Sequence, residues 1–538
     1  MGGGLMQLVA YGAQDVYLTG QPQITFFKVV YRRHTNFSVE PIQQTFQGAA
    51  EFGRTVTCNV NRNGDLISCM YLVAKIDKAN RTKGDVTYGW VNKLGYAMIE
   101  SAKVEVGGSK IDEQYGDWLN VWDELTRNTS HDVARDNMIG NVDKLTKLGT
   151  NMTEEYTMFV PLRFWFNRNN GLALPLIALQ YHDVRVTIKL REACDLINFK
   201  GTTQVSATGV TNNAMKDAYL LIDYIYLDSE ERKRFAQAAH EYLIEQVQFT
   251  GDETFDSENH KYRLNFNHPS KYIVWNTCLD RYQKTQSWVE WALDGDWEAA
   301  RERFAKKVWL ATRSNLDAND GTSFTLSMGD STMEIGDTPQ ILAAITGKAK
   351  ELAGKVDAQV LFANTLSAGQ PNADATLANC VILRNDITIE DMNVLASEFN
   401  ASTGMTTQAQ SLINNGAVNV RDYFNYSDNP NCTGNPIKTA KLQLNGHDRF
   451  ATREGNYFNY VQPYQHFSVT PCDGINVYSF ALKPEDHQPS GTCNFSRIDN
   501  TSLNLTSTNK YDGVCKIYAV NYNVFRVMSG MGGLAYSN

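Results

Sequence analysis

The 538 residues contain no Cys-x-x-Cys pair, no P-loop, no Gly-x-Ser-x-Gly elbow and no His-Glu-x-x-His helix. The frameworks that usually carry zinc, nucleotide, acyl-transfer or metallohydrolase chemistry are therefore missing. No catalytic residue, cofactor or metal ligand is assigned, and the reading is of a non-enzyme. Also missing is an apolar run of about 18 residues, the length a spanning helix needs. The first residues, Met1-Gly2-Gly3-Gly4-Leu5-Met6, lack the basic start and apolar stretch of a signal peptide. Met6 stands where a myristoylation motif wants Ser or Thr. Basic residues are in deficit: 50 Lys and Arg against 59 Asp and Glu leave a net charge of −9. Such a chain has no overall attraction to nucleic acid, and direct nucleic-acid binding is not expected. The nine cysteines are scattered and odd in number. Cys58 with Cys69, or Cys472 with Cys493, are the pairs to consider. Free thiols in a reducing compartment fit the scatter better.

A few local patterns imitate sites. His182-Asp183 and His447-Asp448 lack the further ligands a metal centre needs. Gly530-Met531-Gly532-Gly533-Leu534-Ala535 imitates a dinucleotide fingerprint, but the nine residues from Gly530 to the last residue, Asn538, leave no room for the helix that must follow. Arg32-Arg33-His34 is a small basic cluster that suits acidic residues of a neighbouring loop or subunit better than phosphates.

What the sequence does have is repetition. Ala102-Lys103-Val104-Glu105-Val106-Gly107-Gly108 returns as Ala440-Lys441-Leu442-Gln443-Leu444-Asn445-Gly446, and the stretch Glu40 to Gly48 is echoed by Glu245 to Gly251. Pro175 with Tyr181 and Val184 matches Pro489 with Phe495 and Ile498. Three matches in one order imply two tandem copies of one all-β unit, which suits an architectural protein better than a catalyst. Length implies at least two domains, and 42% hydrophobic residues supply their cores.

Short runs of period two predict strands at Val39–Phe46, Arg54–Val60, Leu66–Ile76, Ala102–Val106, Thr157–Leu162, Val184–Leu190 and Tyr219–Leu227. They continue at Tyr242–Phe249, Lys261–Phe266 and Lys271–Cys278, with Gly, Asn and Asp between them, as in a sandwich or barrel. Tyr115–Thr126 reads as a helix with Trp118, Val121, Trp122 and Leu125 on one face. The charged run 230–240 reads as a linker helix between the units.

The second copy is longer between its echoed strands, and the excess falls at 279–438. Asp296 can cap a helix with Trp297, Ala300, Phe304 and Val308 on one face. Thr338-Pro339 and Thr388 with Asp391 start two more. Strand-like runs lie at Gln359–Phe362 and Cys380–Leu383. A connection this long is uncommon unless it folds, so an α/β subdomain standing on the second unit is expected.

The segments Tyr11–Gly20, Ile24–Lys28 and Tyr31–Phe37 resemble the major capsid proteins of nucleocytoplasmic large DNA viruses, of the phycodnavirus and mimivirus type. So do Asn456-Tyr457-Phe458, Gln462-Pro463-Tyr464, Tyr478–Pro484, Gln488–Gly491, Asn494–Arg497 and Gly530–Asn538. The resemblance implies an all-β double jelly roll: two tandem eight-stranded antiparallel sandwiches at 26–229 and 241–538. A 1–25 arm precedes them, and the insertion is a tower in the second D–E loop. It implies homotrimers forming pseudo-hexagonal capsomers of an icosahedral capsid, assembled in the host cytoplasm. The partners implied are neighbouring capsomers, minor capsid and penton proteins, and an inner membrane beneath. The loop aromatics Trp165, Phe166, Tyr457, Phe458, Tyr464 and Phe467 suit the trimer interface as a group, though each suits the intramolecular core singly. Among ten Asn-x-Ser/Thr sequons, the tower's Asn400, Asn425 and Asn431 are the candidate glycosylation sites. Two other readings are a lectin using Trp288, Trp291, Trp297 and Trp309, and a penton or minor capsid paralogue.

Overall fold

The computed structural model describes residues 3–10, 12–77, 87–146, 155–200, 214–283, 286–289, 417–428 and 432–536, with short strands at 326–328, 331–333, 356–357 and 382–383. Eight strands make the first unit: β1 (Phe37–Thr45), β2 (Thr55–Asn59), β3 (Leu66–Ile76), β4 (Ile99–Val106), β5 (Ser109–Tyr115), β6 (Tyr156–Pro161), β7 (Val184–Leu190) and β8 (Met215–Leu227). They form two antiparallel sheets, ordered β1-β8-β3-β6 and β2-β7-β4-β5. The second unit repeats the set: β9 (His240–Thr254), β10 (Asn259–Arg263), β11 (Pro269–Leu279), β12 (Ile437–Leu444), β13 (His447–Asp448), β14 (Ile475–Ser479), β15 (Thr501–Ser507) and β16 (Gly513–Met528). Its sheets run β9-β16-β11-β14 and β10-β15-β12-β13. Each order interleaves the start and end of its unit, which is jelly-roll topology, here present twice.

Period-two patterning explains the outer strands. In β7, Val184, Val186, Ile188 and Leu190 are buried while Arg185 and Lys189 face water, so a slip of one residue would expose the whole apolar set. The repeated hairpins have a backbone cause. Gly107 and Gly108 adopt φ of 59° and 81°, and Asn445 and Gly446 adopt 49° and 82°. Two successive positive φ values are what a tight hairpin requires. The first roll needs glycine even where the second has Asn445, because a Cβ on Gly107 would lie 2.3 Å from the His182 ring. The first two repeats thus fall on equivalent strands. The third holds only by location: Tyr181 is exposed and Phe495 buried, and the pieces that pair with β3 and β11 are Leu174–Pro175 and Cys493–Asn494.

Helix α1 (Gly116–Thr126) follows β5 directly and buries Trp118, Val121 and Leu125. Trp122 is half-buried beneath the guanidinium groups of Arg163 and Arg168, 4.8 and 5.2 Å from its ring. Helix α2 (Ser229–Gln237) buries nothing and joins the rolls.

The insertion lies between β11 and β12, the D–E connection of the second roll. Its described ends correct one expectation: they do not stand on the second roll alone. Gln286–Val289 pairs with Ala417–Val420, which pairs with Ile197–Lys200 of the first roll, which pairs with Thr87–Trp90. The Arg421 N–H donates to Asn198 at 2.7 Å, and its guanidinium meets Asp195 at 2.6 Å. The helices expected from Asp296, Thr338 and Thr388 lie outside the described residues, as does Gln359–Phe362. Ile382–Leu383, inside the other predicted run, pairs with Val356–Asp357.

Candidate functional site

The two rolls meet along a seam that uses a different face of each. The first roll gives β5 and α1; the second gives the edge strand β9 and the outer side of β16. The Val247 N–H of β9 has no strand to pair with on that side and donates to the Asp112 carboxylate at 3.1 Å. The Gln246 side-chain amide donates to the Ile111 carbonyl. Tyr115 packs on Phe249 at 4.9 Å, Phe249 stacks on Tyr518 at 4.8 Å, and Trp118 meets the same tyrosine at 5.4 Å. Lys516 of β16 pairs with Asp117 at the start of α1. Arg168 reaches Glu245 at 3.0 Å, and Lys271 holds the same carboxylate at 2.7 Å. The carboxy-terminal hairpin adds the Tyr181 N–H to the Gly530 carbonyl at 3.0 Å.

Burial sets the protonation of this seam. It pushes Asp112 up to about 7, against the pull of the Val247 N–H and Arg168. Burial would also raise Asp117, but Lys516 and Arg191 outweigh it and hold that carboxyl below its ordinary value. Lys516 is correspondingly raised, since Asp117 offsets its own desolvation. A buried pair of this kind fixes geometry more than it adds stability.

Other faces of the same kinds are bare. The described side chains of the arm ahead of β1 are exposed apart from half-buried Asp15, with Phe27 at 99% and Tyr31 at 86%. Strand β1 continues it, with Phe37 58% and Val39 49% exposed. In the second roll, the stretch after the Asn445-Gly446 turn is exposed through Glu454, apart from half-buried Phe450. The apolar side chains of the arm and of β1 make the kind of surface that marks an interaction site.

Of the loop aromatics, Trp165, Phe166, Phe458 and Phe467 are buried within the chain, Tyr457 is half-buried, and Tyr464 is exposed. Arg32 and Arg33 make no ion pair among the described residues. His182 Nδ1 lies 2.9 Å from the Gly532 carbonyl oxygen and Asp183 pairs with Arg62 at 3.3 Å, which are structural roles. Cys58 and Cys69 sit in opposite sheets, on β2 and β3, so they are not neighbours on adjacent strands. All eight described cysteines are free thiols. One glycosylation candidate is corrected: Asn425 is 1% exposed, and its side chain accepts from the Ser427 N–H at 3.0 Å and hydroxyl at 2.6 Å. A glycan has no room there in the folded chain. Asn400 and Asn431, and the side chains of Trp288, Trp291, Trp297 and Trp309, lie outside the described residues. Sequence reasoning missed the seam residues Asp112, Asp117, Gln246 and Lys516. A strand as polar as Ser109–Tyr115 gives no periodic signal.

Two jelly rolls fused in tandem and standing side by side define the double jelly-roll class of capsid proteins. Solved structures bear this out. The capsid protein in a quasi-atomic model of the PBCV-1 virus capsid matches at TM-score 0.59 and 32% identity, over 96% of this chain and all of that one. The Faustovirus major capsid protein matches in fold at TM-score 0.54 and 12% identity, over 96% of this chain and 94% of that one. The family model for the major capsid protein N-terminus matches residues 25–228, and that for the large eukaryotic DNA virus major capsid protein matches 231–533. Capsid protein 1 of Acanthamoeba polyphaga mimivirus is 40% identical and the major capsid protein of Phaeocystis pouchetii virus 41%, each over the full length of both chains. The chain belongs to the major capsid proteins of large eukaryotic DNA viruses, and its place is the virion. Such relatives imply a structural, non-enzymatic role.

Proposed function

We propose that the protein assembles as a homotrimer whose six rolls form a pseudo-hexagonal capsomer of an icosahedral capsid. The observation that supports this is the pair of rolls with identical strand order, locked abreast by a buried seam. A threefold axis acting on such a pair gives six similar wedges. The units are taken as 26–229 and 241–538, joined by 230–240 and preceded by an arm at 1–25, with the tower at 279–438. The exposed arm and the polar outer surfaces would contact neighbouring capsomers, minor capsid and penton proteins, and an inner membrane beneath, with assembly in the host cytoplasm. Glycosylation, where present, would fall on Asn400 or Asn431, and peptide mass spectrometry of virions tests it. The trimer is tested by the mass of the purified chain in solution. Three copies support it, and a stable monomer at micromolar concentration overturns it.

A further inference from the structure

Helix α1 presents a second set of polar side chains to the turn ahead of β4. Asn120 and Glu124 stand four residues apart on one face of the helix, and both are buried, at 1% and 3% exposure. The Lys93 ammonium donates to Asn120 Oδ1 at 2.8 Å and to Glu124 Oε1 at 2.7 Å. Lys93 is held there with a backbone φ of 49°, in the left-handed region that a residue with a long side chain seldom adopts. The Phe424 ring covers the ammonium, 5.9 Å from Nζ. The Asn120 amide nitrogen is buried and has no hydrogen-bond partner.

An amine, a carboxamide and a carboxylate held together largely out of water are the two reactants and the proton carrier of an amide exchange. We propose that Lys93 and Asn120 join in an isopeptide bond, with Glu124 moving the protons. Glu124 takes one proton from the ammonium, and the neutral Nζ attacks Cγ of Asn120. Glu124 then passes that proton to Nδ2. The new Nζ–Cγ bond stays, the Cγ–Nδ2 bond breaks, and ammonia leaves, taking up the second proton shed by Nζ. One ammonium and one carboxamide thus become one secondary amide and an ammonium ion, with no change of oxidation state. The leaving nitrogen is the atom that no hydrogen bond holds in place. Burial alone would lower Lys93, but Glu124 outweighs it and keeps the ammonium above its ordinary value. The pair therefore rests as ions, and the reaction waits on the proton transfer. The desolvation cost of two buried charges narrows the gap to the neutral pair. After reaction Glu124 keeps Arg127 at 3.6 Å, so loss of the lysine charge strands no buried carboxylate. The bond spans 27 positions and ties the turn before β4 to the helix that carries Asp117 and Trp118 into the seam.

The test is the intact mass of the purified full chain, taken in denaturant after storage at neutral pH and followed by peptide mapping. The parent is expected to fall below its sequence mass by one ammonia, with a branched peptide joining Lys93 to Asn120. Glu124→Gln fills the same space but cannot carry the proton, and should keep the full mass and give no branched peptide. Lys93→Arg should do the same while leaving a cation beside Glu124. The parent's own mass decides the matter whether or not a variant folds. A parent at full mass overturns the proposal, and so does an ammonia loss that maps to a succinimide at Asn445-Gly446 or another Asn-Gly pair. A branched peptide that persists in Glu124→Gln overturns the role given to Glu124.

Discussion

Replacing Asp112 with asparagine separates two protonation states between which the seam discriminates. The carboxyl is held at about 7 against an ordinary 3.8. At about 1.4 kcal/mol per pH unit, that difference is on the order of 4 kcal/mol. The folded value lies above the unfolded one, so the seam is most stable below pH 4. Stability is then lost as pH rises toward 7, and the loss is complete above about 7. Asparagine keeps an oxygen for the Val247 N–H and cannot ionise. Its amide nitrogen, however, would face the Gln114 amide, which now donates to Asp112 at 3.2 Å and to the Arg163 carbonyl at 2.7 Å. That mismatch costs about 1 kcal/mol. The variant should therefore be roughly 1 kcal/mol less stable than the parent at pH 4 and roughly 3 kcal/mol more stable at pH 8.5, with a change of sign between. Urea or thermal melts of variant and parent across this range measure it. A difference between variant and parent that does not change with pH would refute the reasoning.

Three further outcomes follow from the same contacts. Lys516→Met leaves the Asp117 carboxylate buried without its cation and should cost about 3–5 kcal/mol in melts, while adding Asp117→Asn should recover most of it. Gly107→Ala, whose Cβ meets the His182 ring, should lower the melting temperature more than Gly108→Ala, which has nothing within 4 Å and bears only the cost of its φ of 81°. Removing residues 1–36 should leave the melting temperature of the unassembled chain within about 2 °C, because this segment packs on little. The same deletion should cut the fluorescence of a bound hydrophobic dye, and an unchanged signal would show that the exposed aromatics are not what the dye reads.

The repeat was legible because its carriers are backbone signals. A hairpin needs Gly107-Gly108 or Asn445-Gly446, and the alternation of β7 prints its two faces into the sequence. The longest strand, β16, was not. Ala519 and Val520 are buried beside equally buried Asn521 and Asn523, so polarity there does not track solvent. Those asparagines are spent on Gln246, which receives the Asn523 amide at 3.0 Å. Strand β5 escaped for the converse reason: its polar residues face the other roll instead of water. Interfaces inside a chain are thus poorly legible where they are built from hydrogen bonds, and well legible where glycine or alternation dictates the backbone. The loop aromatics show the same limit, since only the packed chain distinguishes buried Trp165 from exposed Tyr464.

The described ends of the insertion pair with each other, Val289 beside Ala417. Partners in an antiparallel ladder lie about 5 Å apart, so the intervening chain starts and ends at a single narrow port. Closing a longer excursion through such a port adds little, on the order of 0.6 kcal/mol for each doubling of its length. A foreign domain with adjacent termini should therefore be accepted between Val289 and Ala417 at little expense to the two rolls.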